Sequence, residues 1–428
     1  MADDIFDAII VGGGLAGATA AYVLAQAGLD VLVIERSNVS GGKNMTGGRL
    51  YAHSLERIMP GFAERAPLER QVTREKISML TADSGVTLDY QHAASALPEE
   101  RSYTVLRATF DPWLMGEAEA AGAQLIPGVR VDELIVREGK VCGVRAGEDE
   151  IEARVVILAD GVNSLLGEKL GMVRHVNPHT VAVGVKELLA FTPEQMAERF
   201  GCAGDDGLAW LFAGTPSEGL MGGGFLYTNK NTVSLGLVLG LHNVDKLSKS
   251  VPQLLEDFKQ HPLVAPLVSD GKLLEYSAHL VPEGGLDMVP ELIGDGVLIA
   301  GDAAGFCLNV GYTVRGMDLA IASGDAAAKA VIAAKQRDDF SRQGLSGYQM
   351  LLDESFVLKD MKLYKNLPAF LDNPRFFSAY PTMMTGMMQD LFTINGPQRP
   401  LRNKMFSRIG NVGVMNILKD GFKGVRWL

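Results

Sequence analysis

Cysteine is nearly absent from this chain: Cys142, Cys202 and Cys307 are all it has, and no two of them form a C-x-x-C pair. That spacing excludes a structural zinc site or a four-thiolate iron–sulfur cluster built from this chain alone. Positive charge is also in deficit. A formal net charge of -11 over 428 residues lacks the basic footprint that a general nucleic-acid binder needs, so no nucleic-acid partner is expected. No apolar run approaches the roughly 18 residues read as a membrane span, "VVILA" and "LGLVLGL" being the nearest. The opening "MADDIFDAII" is acidic and runs directly into a strand, without the basic flank and apolar stretch of a secretory signal, so a cytoplasmic location is expected. His175 and His179 are separated by Asn177 and Pro178 and form no helical H-E-x-x-H pattern, which argues against a metal site.

Glycine, by contrast, is abundant, with 49 residues, and its placement is informative. "FDAIIVGGGLAGATAAYVLAQAGLDVLVIER" reads as a strand (Asp7 to Val11), a glycine turn, a helix (about Leu15 to Ala27) and a second strand (Val31 to Ile34). Gly12, Gly14 and Gly17 form G-x-G-x-x-G between strand and helix, as a bound pyrophosphate requires for the tight turn, for close approach and for helix–sheet packing. Glu35, followed by Arg36, ends the second strand where a carboxylate accepts hydrogen bonds from a ribose and repels a 2'-phosphate. Two further buried strands open onto glycine turns, "LADG" with Asp160 and "AGDAAG" with Gly301 and Asp302. Taken alone, Asp302 is explained equally well as a cap of the helix that follows. No second strand–G-x-G-x-x-G–helix unit is present, so a dedicated NAD(P)H domain is not expected.

The texture along the chain predicts an α/β fold. Residues 1–75, 100–180 and 277–337 are expected to form a discontinuous dinucleotide domain, and 76–99 with 181–276 an antiparallel β-rich one. Residues 338–428 are expected to be helical, with breaks at Pro368, Pro374, Pro381 and Pro397.

Several segments together are more specific: "GGKNMTGGRLYAH", "YTVLRATFDPWL", "LADGVNS", "GLMGGGFLYTN", "YSAHLVPEGGL" and "GDAAGFCLNVGYTVRGMDLAIASG". They resemble the FixC-type members of the electron-transfer-flavoprotein:quinone oxidoreductase family over nearly the whole chain. The resemblance implies a Rossmann-like FAD-binding domain of the glutathione-reductase and aromatic-hydroxylase type, with the β-rich domain inserted. It implies FAD as cofactor, a two-subunit electron transfer flavoprotein as donor, and a ferredoxin-like iron–sulfur protein or quinone as acceptor, with no side chain acting as a catalytic acid, base or nucleophile. A peripheral position on the inner face of the cell membrane is then the alternative to a fully cytoplasmic one. Carried onto this sequence, Gly12, Gly14, Gly17, Glu35, Arg36, Asp160, Gly301, Asp302, Gly316 and Met317 are expected FAD contacts. Arg107 is expected to face the pyrophosphate, and Val131 to offer backbone to the adenine. Gly47 and Gly48 are expected to let backbone approach the flavin edge, with Lys43 and Arg49 near the reduced ring or a docking partner. The helix starting at Gly316–Met317 is expected to point its positive end at the flavin. A monooxygenase or geranylgeranyl-type reductase on the same fold, and a binding protein without catalysis, are the competing readings.

Outside these motifs, His53 and His279 are expected as structural histidines or as polar groups near the ring, and Cys307 as a small buried hydrophobe. The last 28 residues carry a local charge of +5, leaving -16 for the rest. Met405, Ile409, Val412, Leu418 and Phe422 share an approximate helical face there, suited to an anionic membrane or an acidic partner, although Gly410, Gly413, Gly421 and Gly424 weaken the helix.

Overall fold

A computed structural model describes residues 5–42 and 47–427. Nineteen strands follow one another along the described chain. The first ten are β1 (Phe6–Val11), β2 (Val31–Glu35), β3 (Gly48–Tyr51), β4 (Leu68–Leu80), β5 (Gly85–Gln91), β6 (Ser102–Val105), β7 (Gln124–Pro127), β8 (Glu133–Arg137), β9 (Lys140–Ala146) and β10 (Asp149–Leu158). The others are β11 (Val181–Ala190), β12 (Asp206–Gly214), β13 (Gly222–Thr228), β14 (Thr232–Gly240), β15 (Lys272–Pro282), β16 (Ile293–Gly294), β17 (Val297–Ile299), β18 (Leu308–Asn309) and β19 (Val314–Arg315).

One sheet runs in the order β16-β17-β10-β1-β2-β7, with β17, β10, β1, β2 and β7 parallel. Its central strands are near-continuous apolar runs because they are buried on both faces. Residues of β2 are buried throughout. The helix Leu15–Gln26 after β1 packs against the long helix Met317–Arg337 at a glycine: a Cβ on Gly324 would lie 2.2 Å from the Ala16 carbonyl oxygen. Parallel strands place their C-terminal ends together, and the turns after β1, β10 and β17 therefore gather at one edge, where such sheets bind ligands.

The second sheet has nine strands, in the order β15-β11-β14-β13-β12-β4-β6-β3 with β5 beside β4. One face packs on the helices Pro193–Phe200 and Val251–Gln260 through Val185, Leu189, Leu226, Leu235 and Leu237. The other face turns toward the first sheet. Here the structure corrects the expected boundaries. Strand β4 pairs in parallel with β12, more than a hundred residues away, so a division between 75 and 76 would cut through β4. Strands β3 and β6 belong to this sheet too. Strand β7 pairs with β2, and Val131 lies in the extended connection beyond it.

Candidate functional site

Between the two sheets lies a cavity of about 710 Å³. Of the expected FAD contacts, all but Gly17 line it. The glycine loop divides its work. Gly12 has φ +103°, and a Cβ there would lie 2.3 Å from the Ala159 carbonyl oxygen; a Cβ on Gly17 would lie 1.9 Å from that of Gly12. These two glycines close the turn. A Cβ on Gly14 would meet only Arg107 Nη2 at 4.0 Å, so Gly14 instead leaves open space above the helix start. Gly14 caps that helix without a side-chain hydrogen bond, and its first N–H groups remain available for a ligand anion.

Glu35 is buried and ordered from two sides, accepting hydrogen bonds from the backbone N–H of Gly13 at 2.8 Å and of Ser37 at 2.7 Å. Arg36 is exposed at the rim, and Val131 is buried beside it in the lining. Arg107 begins the helix Arg107–Ala120 and grips Asp111 with two hydrogen bonds, Nε to Oδ1 at 2.6 Å and Nη2 to Oδ2 at 2.7 Å. Asp111 is fully buried, and burial holds its carboxyl above the usual range despite this arginine. Arg107 thus combines a buried ion pair with a place in the cavity wall.

Asp302 does not act as a helix cap. It lies in the short 3-10 turn Gly301–Ala304 and makes no capping hydrogen bond there. Burial raises its pKa, and Arg107 is the charge that opposes the shift. Gly301, with φ +66°, accommodates the tight approach of Ala16. Burial likewise pushes Asp160 up to about 6, and its Oδ1 lacks a partner. Nearby Ser164 holds a left-handed conformation at φ +32°, rare for a residue with a side chain.

At the far end, Gly47, Gly48, Gly316 and Met317 meet. Gly47 is pressed against β6, where a Cβ would lie 2.4 Å from the Val105 carbonyl oxygen, whereas one on Gly48 would touch only the Met317 thioether, at 3.7 Å. Gly316 precedes the long helix without side-chain capping, so the helix's positive end is presented to the cavity. The start of that helix is locked from beneath. Asp318, 1% exposed, accepts from Arg315 Nη2 at 2.6 Å and lies 3.0 Å from His53 Nε2, while Arg315 also reaches Asp360 at 2.7 Å. His53 is therefore a structural partner of Asp318. Arg49 reaches the lining, where its guanidinium donates to Glu75 at 3.0 Å and to Ser102 at 3.0 Å. Lys43 lies outside the described residues.

Besides His279, the second sheet contributes residues that sequence reasoning did not select. In register across β13, β14, β11 and β15, Phe225, Gly236, Lys186 and Ser277 form one row, and Gly223, Val238, Gly184 and His279 the next. Lys186, His279, Phe225, Tyr227 and Val238 line the cavity. Burial lowers Lys186 to about 8 and His279 to about 4, with nearby positive charge adding to each effect. The signal for Lys186 was legible in "VAVGVKELL", a lone cation on the alternate face of an apolar strand. Glu283, just after β15 in "VPEGGL", also lines the cavity, and burial raises it to about 7. Cys307 is buried, its thiol raised by burial and by the neighbouring Glu283 carboxyl. Leu371 and Phe377 add an apolar edge to this end of the cavity.

Comparison with known proteins gives three family matches: an FAD binding domain over residues 6–210, the ubiquinone-binding segment of ETF-QO over 181–281, and the ETF-QO/FixC family C-terminal domain over 367–428. The chain is 61% identical over 425 residues, 99% of each chain, to the probable electron transfer flavoprotein-quinone oxidoreductase YdiS of Escherichia coli. It is 60% identical over 426 residues, again 99% of each, to protein FixC of Salmonella typhi. Among solved structures, a geranylgeranyl bacteriochlorophyll reductase-like protein from Thermoplasma acidophilum superposes with a TM-score of 0.71 at 20% identity, covering 97% of this chain and 99% of the other. A flavin-dependent brominase does so with a TM-score of 0.65 at 15% identity, covering 95% and 93%. These two structures share the fold.

Proposed function

Because the chain belongs to the ETF-QO/FixC family and is an FAD-dependent oxidoreductase, we propose that it takes electrons from a two-subunit electron transfer flavoprotein and delivers them through FAD to a quinone. The observation that carries this reading is the shape of the cavity. It runs from the ribose-type acid Glu35 to the apolar edge at Leu371 and Phe377, and the segment matching the ubiquinone-binding family forms its floor.

FAD suits the residues present. Gly14 leaves the space a pyrophosphate needs at a helix start, and the unpartnered Oδ1 of Asp160 and the uncapped Asp302 are polar groups directed at a ligand rather than at the protein. Glu35 would hold the adenosine ribose, with Arg36 and Val131 beside it. Arg107, Gly301 and Asp302 would hold the pyrophosphate and ribityl region. Gly47, Gly48, Gly316 and Met317 would frame the ring, and Gly12 and Gly17 would shape the turn. When bound, FAD supplies reversible storage of two electrons. The residues around it bind, orient and exclude water, and the helix end at Gly316 favours negative charge beside it.

In the described residues no group of thiols gathers, Cys142, Cys202 and Cys307 all being free. An iron–sulfur carrier for a second electron route would therefore be a separate ferredoxin-like protein. Affinity purification from the native source under low oxygen, with visible spectra of the complex, tests the partners. Recovery of an electron transfer flavoprotein pair with a small iron–sulfur protein is expected. Their absence, together with NADPH-driven turnover of a small molecule, would favour the reductase or monooxygenase reading.

No helix among the described residues is long and apolar enough to cross a membrane. The C-terminal helices Leu401–Val412 and Val414–Trp427 offer a different attachment. Val412 turns inward, 7% exposed, but Met415, Leu418, Phe422 and Val425 form an outward stripe, 61–89% exposed, flanked by Lys419 and Arg426. Such a face suits the anionic surface of a bilayer. Asp420 ties this helix to the body through Arg375, with two hydrogen bonds of 2.7 Å, and Arg375 is two residues from Phe377 at the cavity edge. The stripe thus stands near the opening a lipid-soluble quinone would use. Replacing Leu418 and Phe422 together with serine is expected to weaken flotation with anionic vesicles by at least about tenfold, since each side chain contributes roughly 1.5–3 kcal/mol when buried. Reduction of a water-soluble short-chain quinone should persist.

A further inference from the structure

We infer that Glu283 is the proton donor for quinone reduction at the Leu371 end of the cavity. The inference rests on the quinone reading above and extends it to a named group. Glu283 follows β15 directly, its backbone N–H donating to the Thr180 carbonyl at 2.8 Å, so the sheet fixes its position. Its carboxyl faces the cavity and accepts from Asn309 Nδ2 at 3.3 and 3.5 Å, long contacts that hold the group without committing it. No ion pair to Glu283 exists among the described residues. The titratable group that faces it is Cys307, in the turn before β18, with Asp302 and Asp318 beyond that thiol; Lys186 and His279 stand on β11 and β15 of the same cavity. Leu371 and Phe377 line the same end, and Gly316 and Met317 place the expected flavin position beside it.

This combination has a chemical use that electron transfer alone does not require. Quinone reduction consumes two electrons and two protons. With FAD bound and reduced, the cofactor would supply two electrons and one proton, as a hydride equivalent. Glu283 supplies the second proton to a quinone oxygen: its carboxyl O–H bond breaks, the quinol O–H bond forms, and the carboxylate left behind regains a proton from solvent. A carboxyl held near neutrality by burial, at about 7, is matched to that task. It is neutral and able to donate below this value, and ionised above it.

The test uses the FAD-loaded protein, reduced chemically under anaerobic conditions and mixed with a short-chain quinone. For the native protein the rate is expected to be level below pH 7 and to fall above it. Glu283→Gln, which keeps an acceptor for Asn309, is expected to lower the rate by about 10²-fold and to remove the step near pH 7. Glu283→Asp is expected to restore part of the rate together with the pH dependence. Reduction of ferricyanide, which takes electrons without protons, should be equal in all three. Infrared difference spectra across pH 7 should show a protonated carboxyl band in the native protein that Glu283→Gln lacks. A Glu283→Gln protein that reduces quinone at the native rate with the native pH profile overturns the assignment while leaving the quinone reading intact. A native protein that reduces ferricyanide and no quinone overturns that reading, and the proton donor with it.

Discussion

Replacing Arg107 with methionine is expected to destabilise the FAD-free protein by about 3–5 kcal/mol at pH 7, because it leaves a fully buried carboxylate, Asp111, without its cation. Asp111 already sits above the usual carboxylate range because of burial, with Glu35 adding repulsion and Arg107 alone pulling it down. Without Arg107 the folded protein must either hold an unpaired charge or bind a proton. The sign of the pH effect follows. A carboxyl whose folded pKa is raised favours the folded state in acid and loses that contribution as pH rises through the folded pKa. The gap between native and variant should therefore be widest at neutral pH and narrow toward pH 5. Urea denaturation at both pH values measures it. Pairing the change with Asp111→Leu should recover most of the stability by removing the orphaned carboxylate, but not FAD affinity, since Arg107 lines the cavity beside Gly14 and faces Asp302. Native stability in the single variant would mean that the pair is incidental.

The second large effect separates two adjacent glycines. Gly48→Val should fold normally, because its Cβ would meet only the movable end of Met317, yet the added side chain would stand in the lining where the flavin edge is proposed. Overpacking of that kind costs about 1–3 kcal/mol, so FAD affinity should fall roughly 10- to 100-fold with the apoprotein melting unchanged. Gly47→Val differs: its Cβ would collide with the Val105 carbonyl, and the apoprotein itself should lose stability. Fluorescence titration with FAD alongside thermal unfolding distinguishes the two. Unchanged FAD binding and electron transfer in Gly48→Val would reduce the segment to an ordinary loop.

What was legible in the sequence was local. The strand, glycine turn, helix and acid from Phe6 to Glu35 specify one another at short range, and the structure has that strand, helix and second strand in order. The second sheet was harder because its contacts are not local: β4 finds β12 across more than a hundred intervening residues, and composition near residue 75 carries no sign of that pairing. Asp302 and Arg49 show the same limit at single side chains. A carboxylate at the start of a turn looks like a cap until the backbone leaves it facing a cavity, and an arginine near a glycine pair shows no partner until Glu75 reaches it from β4, two strands away in the sheet. Lys186 and Glu283 owe their unusual acidities to enclosure by elements far apart in sequence, so their types were visible but their environments were not.

Anaerobic stopped-flow absorbance of the flavin, with the FAD-loaded protein mixed first with reduced electron transfer flavoprotein and then with quinone, tests the central claim most directly. The flavin band is expected to bleach on the first mixing and to return on the second, with one quinol formed for every two electrons delivered, and NADPH alone should leave the band unchanged. Rapid bleaching by NADPH with no response to the reduced flavoprotein would contradict the account.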